Sequence, residues 1–113
     1  MARTRVLPDD PLEFIAQCVR SRQVFWTYHV NMRLHRRGIS RRAIYESVSQ
    51  YEIIEDYPQD KYLPSYLLWT CHDARVLHVL FAVDVEGQNV RVVTAYRPDS
   101  QDWTDGLKRR KPK

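Results

Sequence analysis

His29, Arg33 and then Arg36 or Arg37 recur at i, i+4 and i+7 or i+8 within the stretch HVNMRLHRRGIS. On a helix that spacing lines one side with an imidazole and several guanidiniums, while Val30 and Leu34 turn toward a core. A guanidinium offers a planar fork of donors that matches phosphate oxygens, and its charge does not titrate away. A histidine in the same row can move a proton near neutral pH. The competing reading is a solvated helix face, with Arg33 and Arg37 paired to acids such as Glu46, Glu55 or Asp56.

His78 is the second candidate. It sits inside RVLHVLFAVDV, where strand alternation sends Leu77, Val79, Phe81 and Val83 to one face and Val76, His78, Leu80 and Asp84 to the other. In NVRVVTAY the alternation groups Val90, Val92, Thr94 and Tyr96. If Tyr96 shares the open face with His78, a phenol and an imidazole are neighbours. The alternative for His78 is a packed, hydrogen-bonded core side chain. His72 at a hairpin turn and His35 on a helix surface carry no such pattern. No HExxH, CxxC or Gly-rich phosphate loop is present, and no nucleophile elbow, so no metal site and no cofactor is expected. Trp26, Trp69 and Trp103 suit base stacking or a core. Cys18 and Cys71 lie in apolar surroundings and read as reduced core residues.

The elements that must position these groups follow from local signals. Asp10, Pro11 and Glu13 open a first helix that ends near 20–22. A second helix runs from about Thr27 to Arg37 and stops at Gly38. Ser40 caps a third through about Gln50, with Ile44, Val48 and Tyr51 as its apolar stripe. EIIEDY, SYLLWTC, RVLHVLFAVDV and NVRVVTAY then read as four strands. Short breaks between them predict an antiparallel meander. The expected architecture is α+β, one domain over 1–113, with N-terminal helices on one face of a four-stranded sheet. Its core covers about 10–105, and a basic tail, 106–113, follows.

The net charge of +4 is unevenly distributed. Residues 1–42 carry nine Arg against three acids, residues 43–107 carry four bases against eleven acids, and KRRKPK adds five positive charges. Segregated basic charge favours an anionic partner. KRRKPK is expected to be disordered in isolation and to add phosphate affinity or only solubility. No apolar run reaches the length of a membrane span, and MARTRVLPDD lacks a signal-peptide core, so a cytoplasmic location is expected.

HVNMRLHRRGIS, EIIEDYPQD, LHVLFAV and VVTAYRPD, in that order, resemble a prokaryotic family of small proteins of unknown function. That family is similar to the RelE/ParE-like toxins, with BrnT-like and MqsR-like relatives. The resemblance runs from about Phe25 to Trp103, and H-x3-R…RGIS and T-x-Y-x-P-D are its most specific parts. It implies a RelE-like fold with a curved antiparallel sheet and a metal-independent endoribonuclease, an mRNA interferase silenced by a cognate antitoxin. His29 and His78 are then the candidate base and acid, and Tyr96 donates to a phosphate oxygen. Arg33, Arg36, Arg37 and Arg97 form the phosphate-binding set. The alternative is a non-catalytic module that binds RNA or an acidic protein. An enzyme should bring His29, Arg33, His78 and Tyr96 to one open pocket. A binding module should leave them dispersed, or Arg33 and Arg37 consumed by salt bridges.

Overall fold

A computed structural model describes residues 6–112. The first three helices begin where their capping residues place them. Helix α1 (Pro11–Arg20) starts at Asp10, whose carboxylate accepts the Glu13 N–H at 3.1 Å. It buries Ile15, Ala16, Cys18 and Val19. Helix α2 (Tyr28–Arg36) starts at Thr27, whose hydroxyl accepts the Val30 N–H. It ends at Gly38, which holds φ +65°. The Gly38 N–H reaches the His35 carbonyl and the Ile39 N–H the Leu34 carbonyl. That is a Schellman closure, and buried Ile39 and Leu34 supply its apolar contact.

Helix α3 (Arg41–Glu46) is shorter than the sequence pattern predicts. The chain tightens into a 3₁₀ turn over Val48–Gln50. The Ser47 carbonyl turns to the buried Thr70 hydroxyl at 3.0 Å, so tertiary contact redirects the chain there.

Strands β2 (Glu52–Tyr57), β3 (Ser65–His72), β4 (Arg75–Asp84) and β5 (Asn89–Tyr96) pair antiparallel in sequence order. The sheet is nevertheless five-stranded and mixed, not a four-stranded meander. A short strand, β1 (Val24–Trp26), runs parallel to β5, giving the order β1-β5-β4-β3-β2. Three residues are too few to show a period of two, and no hairpin links β1 to its partner.

Leu77, Val79, Phe81 and Val83 face the helices and are at most 1% exposed, as alternation predicts. They meet Ile15, Val19, Leu34 and Ile44 in one core. The expected grouping in β5 fails at a bulge. Leu80 pairs with Thr94 but Phe81 pairs with Val92, so Val93 is an extra residue. A bulge shifts the alternation by one. Val90 and Val92 therefore face the core, while Thr94 and Tyr96 lie on the other face beside Leu80 and His78.

That second face is not left open along its whole length. Strands β6 (Trp103–Thr104) and β7 (Arg109–Arg110) form a small hairpin. It lies across the sheet, so most of KRRKPK is folded rather than a disordered tail. Among the described residues, no helix is long and apolar enough to cross a membrane.

Candidate functional site

Antiparallel register sets His78 directly opposite Tyr96 on one side and Trp69 on the other. All three point away from the helices, into the face that the C-terminal hairpin covers. His78 Nδ1 lies 3.3 Å from the Tyr96 hydroxyl, and Nε2 lies 2.7 Å from the Leu107 carbonyl. A carbonyl only accepts, so the ring proton sits on Nε2, and Nδ1 accepts from the phenol. The Trp103 ring packs edge-on against the imidazole at 4.5 Å. His78 is 0% exposed, and burial lowers its pKa below the ordinary value.

The hairpin is held by one apolar anchor and several polar contacts. Trp103 is 4% exposed. Trp69 Nε1–H donates to the Gly106 carbonyl at 2.9 Å, and Lys108 Nζ stands over the Trp69 ring. Lys108 pairs with Glu52 at 2.6 Å. Arg110 grips Glu55 with Nε and Nη2 at 3.1 and 3.0 Å. Burying a large aromatic contributes about 2–3 kcal/mol, whereas a half-exposed ion pair contributes about 0–1. Trp103 thus supplies most of the docking, and the ion pairs set its position.

Between the hairpin and the loop after β2 lies a cleft of ≈ 270 Å³. Glu55, Tyr57, Asp60, Thr94, Tyr96 and Arg110 line it, over a floor of Leu67 and Leu80. Arg110 holds the Glu55 carboxyl below the ordinary carboxylate range, and Tyr57 adds a hydrogen bond to it. Burial raises the Tyr96 phenol, which stays protonated at neutral pH. The Arg37 guanidinium reaches this edge of the sheet from the end of α2. Its Nη1 donates to Thr94 Oγ1 at 3.3 Å and to the Ala95 carbonyl at 2.7 Å.

The structure thus brings His78, Tyr96 and Arg37 toward one region. Tyr96 lines the cleft, and His78 stands behind it, out of solvent. His29, Arg33 and Arg36 are exposed on α2 and do not line this cleft. His29 makes a ring contact with Tyr28 at 6.0 Å. Arg97 follows Tyr96, with its Nε buried and without a hydrogen-bond partner among the described residues. Two of the three acids expected as salt-bridge partners for Arg33 and Arg37 are engaged elsewhere: Glu46 with Arg42 and His72, and Glu55 with Arg110.

Glu55, Tyr57, Thr94 and Arg110 are site residues that sequence reasoning misses. The signal for Glu55 is the alternation of EIIEDY, interrupted by a bulge between Ile53 and Glu55. Nothing local points to Arg110, whose place depends on a return of the chain across the sheet. Cys18 and Cys71 are both free, and burial raises the Cys18 thiol. Among the described residues, no three His, Cys, Asp or Glu side chains group as a metal site.

Comparison with curated proteins and with solved structures finds no match. A family described as a domain of unknown function does match, over residues 26–97. The span runs from the last residue of β1 to the residue after β5, and so takes in α2, His78 and Tyr96 but not the C-terminal hairpin. It covers more than half of the sequence, and the chain belongs to this family, DUF4258.

Proposed function

We propose that the protein is a metal-independent endoribonuclease whose site is the cleft on the hairpin-covered face of the sheet. The observation that carries this reading is the meeting of Glu55, Tyr96 and Arg110 in one cleft, with Arg37 at its edge. The attacking 2′-oxygen forms a bond to phosphorus as its proton passes to the Glu55 carboxylate. The bond from phosphorus to the 5′-oxygen breaks, and the Tyr96 hydroxyl swings from His78 to protonate that oxygen. Water then carries the proton from Glu55 to the Tyr96 oxygen, which restores both groups. Arg110 and the free part of the Arg37 fork balance charge on the phosphorane. His78 is a positioning residue, since it touches Tyr96 and not the cleft. The RelE/ParE-like resemblance supports placing this activity in a toxin held silent by a cognate antitoxin.

Two observations favour a second reading, an RNA- or protein-binding module without catalysis. His29 and Arg33 stand exposed on α2, apart from Tyr96 and the buried His78, which is the dispersal expected of such a module. The candidate base is also already engaged. Glu55 accepts from both Arg110 and Tyr57, and a base so engaged must be released before it takes a proton.

The deciding experiment is cleavage of single-stranded RNA in EDTA by the wild type, Glu55→Gln and Tyr96→Phe. Cleavage leaving 2′,3′-cyclic phosphate, reduced about 100-fold or more in each variant, supports the nuclease. RNA binding without cleavage in all three supports the second reading. Cleavage that both variants retain would move the chemistry elsewhere, His29 being the next candidate.

A further inference from the structure

On the helix side of the molecule, away from the cleft, two arginines are stacked on two touching aromatic rings. Trp26, the last residue of β1, and Tyr45 of α3 lie 5.9 Å apart between ring centroids. Trp26 Nε1–H donates to the Tyr45 hydroxyl at 3.3 Å. The Arg22 guanidinium lies over the Tyr45 ring at 3.8 Å, and the Arg41 guanidinium over the Trp26 ring at 4.7 Å. The four side chains form one row, cation–ring–ring–cation, contributed by two short stretches of chain, 22–26 and 41–45.

Both cations keep their charge uncompensated by a carboxylate among the described residues. Arg41 gives Nε and Nη2 to the neutral Asn31 side chain on α2. Arg22 is exposed. Arg22 also holds φ +62°, a left-handed backbone that a non-glycine residue adopts at a cost. A guanidinium stacked on a ring is fixed in plane, yet donors at its rim remain for an acceptor; for Arg41 these are at Nη1 and the second Nη2 hydrogen, since Asn31 takes the Nε side. Two such groups on one surface suit a ligand that repeats its negative charge. The successive ring contacts keep the two guanidiniums near enough for one flexible strand, which carries a negative charge at every nucleotide, to meet both.

We propose that Arg22 and Arg41, held on Tyr45 and Trp26, are a docking site for the phosphodiester backbone of single-stranded nucleic acid. The site shares with the nuclease reading only the class of ligand; cleavage is no part of it.

The test uses fluorescence anisotropy with a labelled 2′-deoxy oligonucleotide, which offers no 2′-hydroxyl to the cleft, over a range of salt. The proteins are the wild type, Tyr96→Phe and the double variant Arg22→Gly, Arg41→Ala. Glycine keeps the left-handed backbone at position 22 without strain. Circular dichroism and a thermal melt confirm that the double variant is folded. The expected result is that wild type and Tyr96→Phe bind alike. The double variant should bind several-fold more weakly, and its log K against log salt slope should be shallower by about 0.7 for each phosphate it no longer neutralises. Unchanged affinity and slope in the folded double variant overturn the proposal, as does a wild type that binds no oligonucleotide. Polyglutamate competing as well as the oligonucleotide at equal charge also overturns it and makes this an acidic-protein surface. Loss of cleavage in Tyr96→Phe with this binding intact separates the two sites.

Discussion

His78 Nδ1 accepts from the Tyr96 hydroxyl while His78 Nε2 donates to the Leu107 carbonyl, so one neutral imidazole ties β5 to the C-terminal hairpin. The ring has no remaining hydrogen-bonding atom for a ligand. Its effect on the cleft is exerted through the position of Tyr96.

Replacing His78 with Leu should therefore destabilise the fold although volume is nearly kept. The change leaves the Leu107 carbonyl without its donor in a partly buried position and frees the Tyr96 hydroxyl. The expected loss is about 1–3 kcal/mol, read from urea denaturation. His78→Ala should cost more, because it also leaves a void under Trp103. Equal stability of His78→Leu and wild type would show that the two hydrogen bonds contribute nothing net.

Trp103→Ala tests what holds the hairpin down. Truncating a buried Trp costs about 3–5 kcal/mol when the whole fold must absorb it. Here the hairpin is free to undock, so the global loss should be smaller and capped by its docking energy. Tryptic cleavage at Lys108, Arg109 and Arg110 should accelerate while residues 10–97 stay protected. Arg110→Ala should lower stability by no more than about 1 kcal/mol, because the ion pair is half exposed. A Trp103→Ala protein with wild-type cleavage kinetics would place the anchor elsewhere.

The parts that local chemistry encodes are legible in the sequence. Caps at Asp10, Thr27 and Ser40 and the stop at Gly38 use side chains within three residues of the helix ends. EIIEDY and NVRVVTAY coincide with β2 and β5, and the two faces of β4 follow from alternation. What is not legible depends on partners distant in sequence. The β5 bulge is set by pairing with β4, and it moves Thr94 and Tyr96 off the face of Val90 and Val92. Strand β1 exists because β5 offers an edge to Gln23 and Val24–Trp26. KRRKPK reads as a solvated run until Glu52 and Glu55 are seen beneath it. Alternation makes the His78–Tyr96 neighbourhood conditional on a shared face, and the structure supplies the contact. The convergence of His29 with His78, expected of an enzyme, has no counterpart in the cleft.

Gly38 gives a test of backbone chemistry alone. An added Cβ meets nothing within 4 Å, so sterics with neighbours do not enter. The residue holds φ +65°, and an L side chain there costs about 1–2 kcal/mol. Gly38→Ala should lower stability by that amount, and Gly38→Asn by less, since Asn tolerates the left-handed region better. A thermal melt orders the three proteins. Equal losses for Ala and Asn would mean that the α2 closure, and not the backbone angle, limits stability.

Stability should fall with acidification in two steps, and the signs follow from which state binds protons first. Burial depresses the His78 pKa from its ordinary 6.5, so the unfolded chain takes up that proton before the folded one does. The stability His78 contributes is therefore complete above 6.5 and is lost as pH falls below it. Arg110 depresses the Glu55 pKa from its ordinary 4.5. Its contribution is complete above 4.5 and is lost as pH falls through the lower folded value. Glu46, held down by Arg42 and His72, adds to this second step. Urea denaturation between pH 8 and pH 3 should show both slopes. His78→Leu should flatten the first and Glu55→Gln should weaken the second. A wild-type profile level between pH 7 and pH 5 would mean that the imidazole finds a protonated arrangement under the hairpin, with the Tyr96 oxygen turning to accept from Nδ1–H.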